Sequence, residues 1–245
     1  VWGINRKSLF ALTAWLLLSP CLAKEELITS AHLPNGEPIP YVLSSENACP
    51  RYVLILFPGG PGNVDPRLEN GSLVYNFKGN FLLRAREHFV DAEFATVAAN
   101  ASANEARMQG LLNDLARRFP KAKIYLVGTS RGTFDTMKLS GYLADKIAGV
   151  VHTASLSKIS TFDARKYKNH HLVVHHRNDG CHTTPFGAAQ GSHERYGNEF
   201  IAMEGGTAVG NPCGPRGHHG FNGIEAQTVE AIKKWIKKFD NAPAP

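Results

Sequence analysis

The chain has 245 residues, with 27 basic against 21 acidic, for a formal net charge of +6. Hydrophobic residues make up 43% and charged residues 20%, which excludes a disordered chain. The positive excess is mild and scattered, with no basic stripe carrying interleaved aromatics, so no nucleic-acid partner is expected.

Arg6 and Lys7 precede an uncharged, mostly apolar run over 8–19, and Cys21-Leu22-Ala23 stand before Lys24-Glu25-Glu26. A basic start, an apolar centre and a small-residue site form the pattern of a secretory signal peptide. The apolar run is about 12 residues. A spanning helix needs roughly 20. Residues 1–23 are therefore expected to be removed, leaving 24–245 as one domain of 222 residues with net charge +4. The mature protein is expected to be secreted or periplasmic, with no stable membrane anchor.

Segment 27–43 predicts one or two leading antiparallel strands. Residues 52–57 (YVLILF) form a continuous apolar run ended by Pro58-Gly59-Gly60-Pro61-Gly62, the pattern of a strand buried on both faces. Segment 80–89 carries Phe81, Leu82, Leu83 and Phe89 among charges and predicts a helix. A second buried strand is predicted at 94–99. Met108, Leu111, Leu112, Leu115 and Phe119 share one face of a helix over 105–119. A third strand at 123–127 runs into Gly128, and a helix is predicted over 133–143. Strands at 149–154 and 171–175 follow, with a further short one at 200–203. The last helix, 223–239, has an apolar stripe and lysines in its final turns, where the helix dipole favours them. Strands alternating with helices imply a mostly parallel, doubly covered sheet.

Gly128-Thr129-Ser130-Arg131-Gly132 is a G-x-S-x-G placed between a strand and a helix. That context lets the glycines form a tight turn that lifts a serine hydroxyl above the sheet. A serine nucleophile needs a base, and the base needs an orienting acid. Asp179 lies just past the strand at 171–175, where open α/β sheets place functional residues. Asp163 is the alternative acid. His218 and His219 sit before the last helix; His219 is preferred as the base because Gly220-Phe221 follows it, with His218 as the alternative. The order Ser130, Asp179, His219 is the one this constellation takes on a strand–turn–helix nucleophile.

Four features carry a resemblance over roughly residues 27–240: the turn at Gly59-Gly60-Pro61-Gly62, the Gly128–Gly132 elbow, Asp179 after a late strand, and the His219-Gly220-Phe221 loop. On these the chain resembles an α/β-hydrolase. The resemblance implies an α/β-hydrolase fold, a three-layer sandwich with a mostly parallel sheet. It also implies an oxyanion hole formed by the backbone N–H groups of Gly60 and Arg131, aimed at charge that appears only in the transition state. The GGPG run and the GTSRGT elbow also resemble the proline-iminopeptidase-like branch. The chain departs from that branch at Pro58, where the branch has histidine. It also has only about 15 residues between the fourth and fifth strands, which leaves no room for a cap domain.

If the acid and histidine loops converge, Cys181 and Cys213 are placed to form a disulfide, leaving Cys49 free. His175, His176, His182 and His193 cluster in sequence but have no metal-ligand spacing such as HExxH, so neither a metal nor a cofactor is expected. The expected activity is that of a secreted serine hydrolase using a Ser130–His219–Asp179 triad through an acyl-enzyme, with a small-molecule ester or amide as substrate. Carboxylic esters are favoured. The alternatives are a serine exopeptidase or amidase of the same fold, and a non-catalytic binding protein.

Overall fold

Strand β1 (Glu25–His32) opens the computed structural model, which describes residues 25–240. The expected signal peptide, 1–23, lies outside the described residues. β1 pairs antiparallel with β2 (Pro38–Ser45), so the leading segment forms a hairpin of two full strands. β3 (Tyr52–Phe57) is buried at every residue, as its unbroken apolar run requires. A small separate hairpin follows, β4 (Arg67–Glu69) with β5 (Ser72–Val74).

The helix expected over 80–89 is two single turns, α1 (Phe81–Arg84) and α2 (Arg86–Phe89). The interruption at Ala85 has a local cause. The Arg86 guanidinium donates to the Leu83 carbonyl at 2.6 Å, the acceptor a continuing helix would offer to the Glu87 N–H. β6 (Phe94–Ala99) and α3 (Glu105–Arg118) come next. Asn104 caps α3 by accepting from the Arg107 N–H at 2.9 Å, and the stripe of Met108, Leu111, Leu112 and Leu115 is buried.

β7 (Lys123–Thr129), α4 (Gly132–Tyr142), β8 (Gly149–Thr153) and β9 (His170–His176) complete the central part. Between β8 and β9 lie two short 3-10 turns, Ser157–Thr161 and Ala164–Lys166, and no cap. α5 (Phe186–Tyr196), which the sequence pattern did not predict, carries the chain from β9 to β10 (Glu199–Met203). α6 (Glu225–Lys237) closes the described chain. None of the described helices is long and apolar enough to cross a membrane.

The large sheet has eight strands in the order β1-β2-β6-β3-β7-β8-β9-β10. β1, β2 and β6 pair antiparallel, and every pair from β6 to β10 is parallel. On one face Phe81, Phe89, Trp235 and Ile236 of α1, α2 and α6 pack on Leu54, Tyr125 and Val127. On the other, Met108, Leu111 and Leu139 of α3 and α4 pack on Val53, Ile55 and Leu126. Ala189 of α5 extends that second layer against Met137 and Val173. The expected three-layer arrangement is thus the observed one.

The parallel register decides where chemistry can gather. Phe57 lies opposite Gly128, Thr129 opposite Thr153, and Thr153 opposite Val174. The strand ends are level, so the loops after β3, β7, β8 and β9 emerge at one edge of the sheet. That edge is where open α/β sheets bind ligands.

Candidate active site

Ser130 sits at the tip of the turn between β7 and α4 with φ +52°, a left-handed conformation that costs a non-glycine residue free energy. The surroundings hold it there. Its N–H donates to Thr153 O at 3.1 Å, and its carbonyl accepts from Thr133 N–H at 2.9 Å and Thr133 Oγ1 at 2.6 Å. The flanking glycines are needed for close approach. A methyl group on Gly132 would lie 2.1 Å from the Phe57 carbonyl oxygen, and one on Gly128 would lie 2.8 Å from the Gly132 carbonyl. The G-x-S-x-G spacing therefore follows from the crossing of α4 over the end of β3. The Ser130 side chain is left half-buried, and its Oγ has no hydrogen-bond partner among the described residues.

Asp179 follows β9 in a turn closed by its own N–H on the His176 carbonyl. Its side chain is fully buried and completely partnered. Oδ1 accepts from the Cys181 N–H at 2.9 Å. Oδ2 accepts from Thr184 Oγ1 at 2.9 Å and His219 Nδ1 at 3.0 Å, and lies 3.2 Å from His175 Nε2, whose N–H it shares with the Thr184 carbonyl. Burial pushes this carboxyl up. The hydrogen bonds from His175 and His219 outweigh burial and hold it well below the usual carboxylate range. Asp179 is thus an anion whose partners all stabilise its charged form.

His219 lies in a 3-10 turn, His218–Gly220, just before α6. With Nδ1–H on Asp179, its Nε2 is left as the free acceptor of the ring. The following residues fix the loop. Phe221 is buried against Phe81 with ring centroids 4.7 Å apart, and Arg84 of α1 donates to the Gly220 carbonyl. A methyl group on Gly220 would lie 2.1 Å from the Pro215 carbonyl oxygen, so this position has no room for a side chain. His218 turns elsewhere and stacks on His176 at 4.3 Å. The alternative acid Asp163 caps a 3-10 turn and pairs with Arg165 at 2.8 Å. Between the sequence alternatives, the structure brings His219 and Asp179 together and does not bring in His218 or Asp163.

Ser130 and His219 line one cavity of about 350 Å³ with Gly59, Gly60, Pro61, Asn80 and Pro215. No residue lining it is acidic or carries a permanent positive charge. Gly60, at φ +65°, lines the same cavity, and its N–H has no partner among the described residues. The N–H of Arg131, at the start of α4, is equally unpartnered. The Arg131 guanidinium pairs with Asp135 at 3.6 Å and lies over the Phe134 ring. Three roles escaped the sequence reading. Thr184 and His175 hold Asp179, and Asn80 borders Ser130. None of these residues carries a motif of its own: Thr184 and His175 lie five and four residues from Asp179 in no recognisable pattern, and Asn80 comes near Ser130 only through the fold.

Cys181 and Cys213 form a disulfide across 32 residues, and Cys49 is free and exposed. The bridge joins the loop that holds Asp179 to the rim of the cavity, which Cys213 lines. Both sulfurs of the one potential three-ligand metal cluster among the described residues, Cys181, His182 and Cys213, are taken up in this bond. His175, His176 and His193 use ring nitrogens on Thr184, Gly205 and Asn198 carbonyls. Reducing the bridge is expected to cost about 3–4 kcal/mol of stability by the loop-closure argument. Thermal unfolding with and without a dithiol reductant checks this, and an unchanged midpoint would remove the bridge from the account.

No family model and no curated protein matches the chain. The solved structures do. A dienelactone hydrolase from Anabaena variabilis superposes with a TM-score of 0.63 at 10% identity, covering 88% of this chain and 98% of its own. An α/β serine hydrolase without lid from Xanthomonas campestris gives 0.55 at 13% identity, covering 87% and 97%. A cold-adapted esterase from an Arctic intertidal metagenomic library gives 0.57 at 11% identity, covering 86% and 94%. The chain has the α/β-hydrolase fold, without a lid. The likeness to the proline-iminopeptidase-like branch stays a resemblance of two short segments.

Proposed function

We propose that this protein is a serine hydrolase that cleaves carboxylic esters through an acyl-enzyme. One observation carries the reading. A strained, unpartnered serine on a nucleophile elbow shares a neutral cavity with a histidine whose far nitrogen is held by a buried carboxylate. Ser130 Oγ attacks the acyl carbon while His219 Nε2 takes its proton. The carbonyl oxygen becomes an oxyanion facing the N–H groups of Gly60 and Arg131. As the intermediate collapses, the proton passes from His219 to the leaving alkoxide. Water then attacks the acyl-Ser130 ester with His219 again as base, releasing the acid and regenerating the serine. Asp179 keeps His219 in the required tautomer and stabilises its imidazolium.

The cavity favours an uncharged ester over a peptide with a free amino end. An exopeptidase acting at the amino end needs an anion to hold the substrate ammonium, and no lining residue is acidic. The esterase and lactone-hydrolase names of the structural neighbours support the same substrate class. A panel of p-nitrophenyl esters set against aminoacyl-nitroanilides tests this. Short and medium acyl esters are expected to react at least about 100-fold faster in kcat/KM, a loss that one unmatched buried charge suffices to produce. Faster cleavage of the anilides would assign the site to peptides, and inertness towards both would favour a binding protein.

A further inference from the structure

We infer that Asn80 is a side-chain hydrogen-bond donor to the acyl oxygen of the substrate, a third donor beside the amides of Gly60 and Arg131. This rests on the serine-hydrolase reading of the site and adds a residue to it. A methyl group placed on Gly59 would lie 2.9 Å from Ser130 Cβ and 3.5 Å from Asn80 Nδ2. The amide nitrogen and the nucleophile therefore flank the same gap, next to the glycine pair that leads into Gly60.

The orientation of the amide is fixed from behind. Asn80 Oδ1 accepts the Leu82 N–H at 3.1 Å and so caps α1. With the oxygen committed to the helix, the NH₂ is the end left for the cavity. It has no partner among the described residues, although Asn80 lines the site. The backbone is pinned as well, because the Asn80 N–H donates to the Phe77 carbonyl at 2.8 Å. α1 is in turn tied to the base. Arg84 bonds the Gly220 carbonyl and pairs with Glu225 at 2.8 Å, linking α1 to the turn that carries His219.

Capping alone does not require an asparagine here. Aspartate or serine caps a helix comparably well, but neither presents an N–H on its other side. A neutral amide donor also suits this cavity. It needs no counter-ion in the resting site and responds most strongly when the acyl oxygen acquires charge.

Two substitutions separate the cap from the donor. Asn80→Ser and Asn80→Asp each keep an acceptor for the Leu82 N–H and remove the NH₂. Steady-state kinetics on a p-nitrophenyl ester, with thermal unfolding in parallel, give the readout. Asn80→Ser is expected to lower kcat by about 100-fold, the scale for loss of one oxyanion donor, with little change in KM. Asn80→Asp is expected to fall further, because its carboxylate repels the oxyanion. Both should unfold near the wild-type midpoint. If wild-type protein hydrolyses the ester and Asn80→Ser matches it, the Asn80 assignment alone falls. A fall in kcat that tracks an equal loss of stability in both variants makes Asn80 only a cap and also overturns it. Wild-type protein that leaves esters intact overturns the serine-hydrolase reading and this assignment with it.

Discussion

Ser130→Ala is expected to reduce ester hydrolysis by about 10⁴-fold or more, the scale for removing a nucleophile from a working triad. The fold should survive, for reasons visible in the local structure. Ser130 Oγ bonds no other group, so its removal breaks no native hydrogen bond and leaves no buried atom unpaired. Alanine keeps the Cβ that packs against Gly59 and tolerates the left-handed backbone about as poorly as serine does. The Thr133 and Thr153 bonds that hold the elbow involve only backbone atoms of Ser130. Initial rates on a p-nitrophenyl ester and a circular dichroism melt give the two readouts. Lost activity with an unshifted melt is the expected pair. Retained activity would place the nucleophile elsewhere.

Asp179→Asn is expected to lower kcat by about 10⁴-fold through a different route. The wild-type carboxylate only accepts. Oδ1 accepts the Cys181 N–H, and Oδ2 accepts hydrogen bonds from Thr184 and His219 and shares the His175 N–H with the Thr184 carbonyl. Asparagine must present an NH₂ to one of these two sets. If its oxygen takes the Cys181 N–H, its NH₂ faces His219 and selects the tautomer with the proton on Nε2. That tautomer has no lone pair for the Ser130 proton. The Thr184 hydroxyl can turn to accept, but the NH₂ also meets the His175 N–H in a buried site, which costs about 1–3 kcal/mol of stability.

The same residue sets an acid limb of stability. The folded carboxyl lies below the ordinary value of about 3.9. Its contribution is therefore complete above about pH 5 and is lost as the pH falls through the depressed folded value. Chemical denaturation between pH 3 and 7 should show stability falling on acidification in the wild type and a flatter profile in Asp179→Asn. Equal profiles would detach Asp179 from that limb.

Much of this was legible in the sequence because it is local or periodic. The unbroken apolar runs of β3 and β6 mark strands covered on both faces, and the order of strands and helices then fixes a parallel sheet. The glycines around Ser130 are legible because each meets a backbone that tolerates no side chain. α5 was not legible. Its sequence, FGAAQGSHERY, carries two glycines and buries only Ala189 and Ser192, so no stripe announces it. The break at Ala85 was also hidden, since it depends on one guanidinium finding one carbonyl. Element context singled out Ser130, Asp179 and His219, and the structure puts His219 on Asp179 and sets Ser130 and His219 on one cavity. Thr184, His175 and Asn80 were not singled out: the first two lie five and four residues from Asp179 without forming a motif, and Asn80 comes near Ser130 only through the fold.

In the proposed reaction Ser130 is a nucleophile activated by His219 and Asp179. The most direct measurement is reaction of the folded protein with a fluorophosphonate, followed by peptide mass mapping. One adduct on Ser130 is the predicted result, absent after denaturation and greatly slowed in Asp179→Asn. A folded protein that takes no label, or takes it on another residue, would contradict the account.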